Sequence, residues 1–242
     1  MGTDRYYLFL RYIGFLAALK QTTVAPAVKQ NIVRSSVGTS ICNQTVLTDE
    51  LRNIVLEKHN FYRSQLATGQ AMIKGGQLAP SAKNMYKLSY SCELESIAQS
   101  WAEKCTFAHS PANVRNAGEN LFMMSVPGYD PATSLKTAAD LWWGELKDLG
   151  GITPTNVQLT ISVFNLGIGH WSQMAWGSTT TVGCGYKSCP AQRMTLVVCN
   201  YRPTGNYLNQ NIYEIGTPCT ENGQCTTYSG SRCDLNSKLC SV

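Results

Sequence analysis

The sequence lacks the patterns of several common functional classes. It has no two cysteines separated by two residues, no His-Glu-x-x-His segment, and no run of lysine and arginine beyond its N-terminal region. These absences argue against a thiolate zinc site, against the helix that presets zinc in metallopeptidases, and against nucleic acid as a partner. The apolar stretch over residues 6–19 is interrupted by Arg11 and is too short for a stable membrane span.

The composition instead indicates a folded, disulfide-bonded protein. Hydrophobic residues make up 43% of the 242 residues and charged residues 14%, which is enough apolar surface for a globular core. The ten cysteines are an even number, as expected where disulfides persist in an oxidising compartment. We therefore expect a secreted, extracellular protein.

The N-terminal region is consistent with secretion. Arg5, the apolar stretch and the small-residue segment Ala25-Pro26-Ala27 together predict a signal peptide over residues 1–27. An extended leader is expected over 28–47. Within it, Asn43 begins an Asn-Gln-Thr sequon and is a predicted glycosylation site.

Helical patterns come first along the chain and strand patterns mostly last. Thr48 is a predicted N-cap, followed by Asp49 and Glu50 in the first turn of a helix. Two further helices are predicted, over residues 92–105 and from Pro131 to near Gly150. Strands are predicted over 182–187 and 194–201, and the segment 152–169 fits either a strand or an ordered loop. This order favours an α+β fold with an antiparallel sheet flanked by helices over a parallel α/β fold.

The composition changes at Thr217. Residues 217–242 contain four cysteines and almost no large apolar side chains, so this segment needs disulfides for its stability. We predict a main domain over 48–216 and a small cysteine-rich tail over 217–242.

Four segments combine buryable residues with unusual polar ones: HNFYR from His59, GENL from Gly118, GHWSQMAWGST from Gly169 and LVVCNYRPTGNY from Leu196. In this order they resemble the four signature motifs of the CAP superfamily of cysteine-rich secretory, antigen 5 and pathogenesis-related proteins. The resemblance covers about residues 48–207. The SYSCELE helix and the tail are most similar to the nematode venom-allergen-like, or activation-associated secreted, proteins.

The resemblance implies an α-β-α sandwich, the CAP fold, whose central cleft is lined by two histidines and two glutamates. Glu119 of GENL and His170 of GHWSQMAW are matched through the motifs, and the resemblance places the other two at His109 of FAHS and Glu145 of WWGEL, from their local context. Imidazole and carboxylate groups suit zinc, and the family implies weak binding of Zn²⁺ or Mg²⁺. A metal-dependent hydrolase that uses the same four side chains is the alternative function.

Catalysis is the less favoured interpretation of the cleft. No Ser-His-Asp or Cys-His order is present, and cysteines held in disulfides cannot act as nucleophiles. We expect Ser172 and Gln173 to form hydrogen bonds across the cleft rather than to react.

The other motif residues have structural interpretations. His59 and Arg63 lie four residues apart on the apolar face of the first helix and are expected to form buried hydrogen bonds. Asn120 belongs to the GENL motif, and Asn200 and Asn206 flank a turn that they are expected to cap.

Lipid binding is a second expectation that the resemblance implies. Family members bind sterols through a flexible loop and fatty acids between helices. The candidate sterol loop spans residues 150–168, where the sequence pattern leaves open which branched side chains are exposed. The resemblance thus implies an extracellular binding protein, with an extracellular receptor or lipid as its partner and modulation of a host as its role.

Part of the disulfide pairing can be predicted. Cys184 and Cys199 lie on adjacent predicted strands, which can bring them within bonding distance, and the family has a similar bridge. The four tail cysteines are expected to pair among themselves.

The remaining four cysteines leave two pairings. Cys92 and Cys105 would be about 20 Å apart on one continuous helix and cannot bond to each other. We favour Cys42–Cys105 with Cys92–Cys189, and Cys42–Cys92 with Cys105–Cys189 stays open.

Overall fold

The first helix of the computed structural model begins where the sequence predicts it. The hydroxyl of Thr48 accepts a hydrogen bond from the backbone N–H of Leu51, which caps α1 (Asp49–Ala67). The structure describes residues 41–42 and 46–242. The predicted signal peptide, most of the predicted leader and the sequon at Asn43 lie outside the described residues.

Short elements accompany three longer helices and three longer strands. The remaining helices are α2 (Cys92–Ala102), α3 (Ala112–Arg115), α4 (Pro131–Leu149), α5 (Ile161–Phe164), α6 (Gly169–Ala175) and a 3₁₀ turn (Asn222–Gln224). The strands are β1 (Ala82–Lys83), β2 (Ser89–Tyr90), β3 (Gly118–Met124), β4 (Thr181–Cys189), β5 (Met194–Arg202), β6 (Glu214–Ile215), β7 (Arg232–Asp234) and β8 (Leu239–Ser241). Among the described residues, no helix combines the length and the apolar character needed to cross a membrane.

The main sheet has the order β2-β4-β5-β3. The predicted strands form the β4–β5 hairpin, and β3 pairs antiparallel with β5 along its whole length. The sheet is not fully antiparallel as predicted, because the two-residue strand β2 pairs with β4 in parallel. Such a short edge pairing leaves no sequence pattern of its own.

Helices cover both faces of this sheet, which makes the α-β-α sandwich that the motifs imply. α2 packs on one face, over a small core that includes Ala98, Leu121 and Val198. α1, α4 and α6 pack on the other face, over a larger core that includes Trp142 and Trp171. Two separate apolar cores form because strand side chains alternate between the faces.

Glycines let α2 approach the sheet closely. A Cβ atom on Gly183 would lie 2.3 Å from the backbone nitrogen of Glu95, and one on Gly185 would lie 2.5 Å from the Cα of Gln99. The glycine further along β4, Gly185, thus meets the residue further along α2, Gln99, so the two elements run in the same direction. The C-terminal end of α2 therefore lies near the end of β4.

This packing decides the disulfide pairing, and the favoured pairing was wrong. Cys42 is bonded to Cys92 and Cys105 to Cys189. Cys92 begins α2 and meets the segment before α1, whereas Cys105 follows the end of α2 and meets Cys189 at the end of β4. α2 also ends at Ala102, three residues before the predicted end, since Cys105 has a left-handed backbone conformation.

The other bridges lie in the hairpin and in the tail. Cys184 and Cys199 are directly opposite each other on β4 and β5 and are bonded. Within the tail, bridges join Cys219 to Cys233 and Cys225 to Cys240, so the tail cysteines pair among themselves as predicted.

The tail packs onto the main sandwich through its last strand. The N–H of Cys240 donates to the carbonyl of Met85, and the N–H of Lys87 donates to the carbonyl of Cys240. The Lys87 ammonium also lies 2.6 Å from an oxygen of Asp234. Leu239 of that last strand is fully buried in the larger core, so packing, backbone hydrogen bonds and charge attach the tail, while its two disulfides act within it.

Arg63 organises the centre of the sandwich. Its guanidinium is fully buried and donates all five of its N–H groups to backbone carbonyls. These carbonyls belong to Tyr86, Met174, Trp176, Gly177 and Thr179, at distances of 2.7–3.1 Å. Burial lowers the pKa of Arg63 to about 9, so the side chain stays charged at neutral pH.

His59, one turn before Arg63, is also fully buried. Its Nδ1–H donates to the carbonyl of Val55 at 2.7 Å, and its Nε2 accepts from the hydroxyl of Tyr201 at 2.9 Å. A carbonyl can only accept, which fixes this neutral tautomer. Burial lowers the pKa of His59 to about 4. His59 and Arg63 of the HNFYR motif therefore both form the buried hydrogen bonds that we expected.

The Arg63→Met substitution should destabilise the protein by at least about 3 kcal/mol, because it leaves buried carbonyls without donors. Urea unfolding measures this loss. Arg202→Met is the matched control, since Arg202 pairs with Glu93 at an exposed site and should cost less than about 1 kcal/mol. Equal losses in the two variants would contradict the central role of Arg63.

His59 should make stability depend on pH. Its pKa is about 4 when folded and 6.5 unperturbed, so the unfolded chain binds the extra proton between these values. The contribution is present above pH 6.5 and is lost as the pH falls toward 4, a decline of about 3 kcal/mol. Urea unfolding of His59→Gln across this window should show a correspondingly smaller decline than the parent chain. Parallel curves for the two proteins would refute the assignment.

Candidate functional site

Glu119 and His109 form the first of two histidine–carboxylate pairs. Glu119 is buried near the start of β3, and its Oε1 accepts from His109 Nδ1 and from the backbone N–H of Ser110, both at 2.8 Å. Its Oε2 accepts from the Ser110 hydroxyl at 2.6 Å. Burial by itself would raise the pKa of Glu119, but these donors and the Arg115 charge hold it below the ordinary value.

Glu145 and His170 form the second pair. Glu145 lies on α4, and its Oε1 is 2.5 Å from Nδ1 of His170 on α6. Its Oε2 accepts from the backbone N–H of Trp171 at 2.9 Å. The indole ring of Trp142 stacks on the His170 imidazole, with ring centroids 5.9 Å apart and planes 20° from parallel.

The two pairs are connected through the beginning of β3. Asn120, next to Glu119, donates from Nδ2 to the carbonyl of His170 at 3.0 Å. Consecutive strand residues point to opposite faces, so Glu119 and Asn120 face different neighbours.

The four predicted cleft residues do not form one compact cage of ligands. Within the described ranges, no three of their donor atoms lie within 4.8 Å of one another. Each glutamate instead pairs with one histidine.

This arrangement defines what each residue can offer a metal ion. Both carboxylates are engaged by protein donors through both of their oxygens, whereas each imidazole uses only Nδ1. No hydrogen bond to Nε2 of His109 or His170 is seen among the described residues, and the two side chains are 58% and 34% exposed. Histidines that bind metals typically donate their other N–H to a carboxylate in this way. The donor set thus fits a cation held by imidazole nitrogens, with Glu119 and Glu145 orienting the rings.

Ser172 and Gln173 hold α6 to its neighbours. The Ser172 hydroxyl donates to Oδ1 of Asn206 at 2.7 Å, and Asn206 Nδ2 donates to the carbonyl of Gly169 at 2.8 Å. The Oε1 of Gln173 accepts from the N–H of Gly205 at 2.9 Å. These contacts give the Ser172 hydroxyl a positioning role.

The glycine of the GENL motif makes room for the Gln173 side chain. A Cβ atom on Gly118 would lie 1.9 Å from Oε1 of Gln173, so no other residue fits without displacing that side chain. Gly118 therefore leaves the space that the end of the Gln173 side chain occupies.

The three motif asparagines differ in their contacts. Asn206 binds α6 as described, and Asn120 Nδ2 reaches the Tyr201 hydroxyl as well as His170. The turn capping expected of Asn200 and Asn206 is not observed, since the Asn206 side chain bonds to α6. Asn200 makes no such bond. Its side chain is buried on the strand opposite Glu119 and has no hydrogen-bond partner among the described residues.

The candidate sterol loop over residues 150–168 contains both buried and exposed apolar side chains. It forms no strand of the main sheet, and α5 is its only helix. Four of its side chains belong to the core: Ile152, Val157, Leu159 and Ile168. Three others are exposed: Ile161, Phe164 and Leu166. Val163 is half-buried against the core, so Ile161, Phe164 and Leu166 are the apolar side chains of this loop most available to a ligand or partner.

A shallow groove of about 290 Å³ between α1 and α4 was missed by the sequence analysis. It is lined by Ile54, Glu57, Lys58, Phe61 and Lys136. Phe61 is 55% exposed, on a side of α1 away from the core. This apolar residue off the buried helical face was the signal that could have indicated the groove.

Comparisons with known proteins agree with the motifs. The family model described as "CAP: Cysteine-rich secretory protein family" matches residues 56–201. The Ancylostoma secreted protein of Ancylostoma caninum is 39% identical over 83% of this chain. The chain spans 46% of that relative's length. Scoloptoxin SSD976 of Scolopendra dehaani is 34% identical over 82% of this chain and 91% of its own length.

Solved structures show the same fold. The crystal structure of NaASP2 with Zn²⁺ matches this chain with a TM-score of 0.74. The two sequences are 39% identical, and the match covers 83% of this chain and 100% of NaASP2. The structure of BmVAL-1 is 36% identical, has a TM-score of 0.77, and is matched over 83% and 98% of the two chains. The resemblance inferred from the four motifs is confirmed: the chain belongs to the cysteine-rich secretory protein (CAP) family, and within it to the venom allergen and Ancylostoma-secreted kind.

Proposed function

We propose that the protein is a secreted, extracellular binding protein whose cleft holds a divalent cation weakly. The observation that carries this proposal is the pairing of both cleft histidines, through Nδ1, with carboxylates that backbone N–H groups also fix. The relative NaASP2 has been crystallised with Zn²⁺, which supports a divalent cation as the ligand. Five disulfides, and the relative called a secreted protein, support the extracellular setting.

His109 and His170 would hold the cation through their Nε2 atoms. Weak binding follows from the donor count, since stable structural zinc sites use four protein ligands. A bound divalent cation would supply positive charge to the cleft and leave positions open for a partner's oxygen or nitrogen atoms.

Binding is better supported than turnover. The hydroxyl of Ser172 is directed to Asn206 and Gly169, and neither can act as its general base. The alternative metal-dependent hydrolase would have to use a water on the bound cation, for which Glu119 and Glu145 offer no uncommitted oxygen.

Zinc titration by calorimetry tests this site. His170→Ala and His109→Ala should each weaken Zn²⁺ binding at least about tenfold, and Glu145→Gln should weaken it about 10- to 100-fold through loss of ring orientation. Since the chain has only three histidines, His59→Gln is the matched control and should leave the affinity unchanged. Unchanged affinity in both His170→Ala and His109→Ala would overturn the proposal.

The groove between α1 and α4 supports a second candidate function, the binding of a fatty acid. Its lining combines the apolar Ile54 and Phe61 with two lysines, Lys58 and Lys136, and one acidic residue, Glu57, so the cations outnumber the anion. Lys58 is already paired with Asp140 at 2.7 Å, so Lys136 is the better match for a lipid carboxylate.

Equilibrium binding of labelled palmitate tests the groove. Phe61→Asp should abolish saturable palmitate binding, because it places a negative charge among the apolar lining residues and repels the lipid carboxylate. Leu141→Asp is the matched control, since Leu141 is similarly exposed on α4 but does not line the groove. Equal palmitate binding in the two variants would refute this candidate.

Labelled cholesterol tests the loop over residues 150–168 in the same assay. Phe164→Asp should abolish saturable cholesterol binding if the exposed side chains of the loop form the sterol site. Palmitate binding by this variant should be unchanged, which separates the two lipid sites.

A further inference from the structure

The tail places two disulfides unusually close together. The sulfur atoms of Cys219, Cys225 and Cys240 all lie within 4.8 Å of one another. Cys225 and Cys240 are bonded to each other, whereas Cys219 is bonded to Cys233. The sulfur of Cys219 therefore faces a bridge to which it does not belong.

Burial differs between the two ends of the Cys219–Cys233 bridge. Cys219 is 3% exposed and packs with Tyr86 in a small buried cluster, whereas Cys233 is only partly buried at its edge. An external thiolate can reach the Cys233 sulfur more easily than the Cys219 sulfur. Attack there makes Cys219 the leaving group, so that the new thiolate appears beside the Cys225–Cys240 bridge.

We propose that the tail is a thiol–disulfide exchange site that accepts an external thiol at Cys233. In the first step the external thiolate bonds to the Cys233 sulfur, the Cys219–Cys233 bond breaks, and Cys219 leaves as a thiolate. In the second step Cys219 attacks the Cys225–Cys240 bond and forms a new bridge to one of these sulfurs. The other sulfur leaves as a thiolate and takes up a proton. The number of disulfides is the same before and after, because the external thiol ends in a mixed disulfide on Cys233.

Exchange at this site changes how the tail is held. Cys240 lies in β8, whose backbone bonds to Met85 and Lys87 join the tail to the sandwich. When Cys219 bonds to Cys225, Cys240 loses its covalent link, and β8 is held by hydrogen bonds and packing alone. The exchange thus couples an extracellular thiol to the attachment of the C-terminal strand.

The Cys233→Ser variant tests the second step directly, because it leaves Cys219 as a thiol without any added reductant. The variant is acidified to stop exchange, unfolded in denaturant and alkylated, so that every free thiol is labelled whatever its burial in the folded protein. Peptide mapping by mass spectrometry should then find the label on Cys225 or Cys240 and a new bridge on Cys219. Cys189→Ser is the matched control. It frees Cys105, which belongs to no sulfur cluster among the described residues, so only Cys105 should be labelled.

Label on Cys219 alone, with the Cys225–Cys240 bridge intact, would overturn the proposal. The parent chain treated with glutathione gives a second test that needs no variant to fold. Mapping should then find glutathione on Cys233 together with a free thiol on Cys225 or Cys240. Glutathione first on another cysteine, or reduction of the tail without new pairings, would equally overturn it.

Discussion

The buried guanidinium of Arg63 on α1 holds the segment that leads from α6 to β4 in its position. Its five N–H groups bind the carbonyls of Tyr86 and of four residues between Met174 and Thr179. A buried charge is tolerated only when its donors are satisfied, so the chain must leave α6 and approach β4 along the path that presents these carbonyls. α1 therefore fixes the position of α6 through backbone contacts rather than through the identity of the side chains it meets.

The geometry of the cleft follows from the position of α6. This helix carries His170 to Glu145 on α4, and Gln173 fills the space that Gly118 leaves open on β3. Asn120 then joins the backbone of α6 to the strand that carries Glu119. The cleft is thus made of two histidine–carboxylate pairs on different elements, each fixed by a backbone N–H. Such pairs orient imidazole rings well, but they commit the carboxylate oxygens to the protein.

The tail relies on a different kind of stabilisation. With few large apolar side chains, residues 217–242 pack cystine sulfur and the partly buried Tyr228 around Tyr86, and they add Leu239 to the larger core. Backbone bonds at Met85 and Lys87 add the directional contacts that a small module cannot obtain from its own core. Close cystines give this tail stability, and they also bring together sulfur atoms of different bridges.

Local features and family membership could be predicted from the amino acids alone. The Thr48 cap, the helix ending at Gly150 and the strands on either side of residues 190–193 were predictable because caps, breakers and periodicity act over a few residues. Glu119 and His170 could be named from motifs that occur in a fixed order, and His109 and Glu145 from the local context that the family resemblance gives them. Three features emerged only in three dimensions: the partners of Cys92 and Cys105, the pairing of each glutamate with one histidine, and the burial of Asn200 without a hydrogen bond to any described residue. The groove between α1 and α4 belongs to the same group. Each of these depends on which elements meet across the fold, and that is set by packing between residues far apart in the chain.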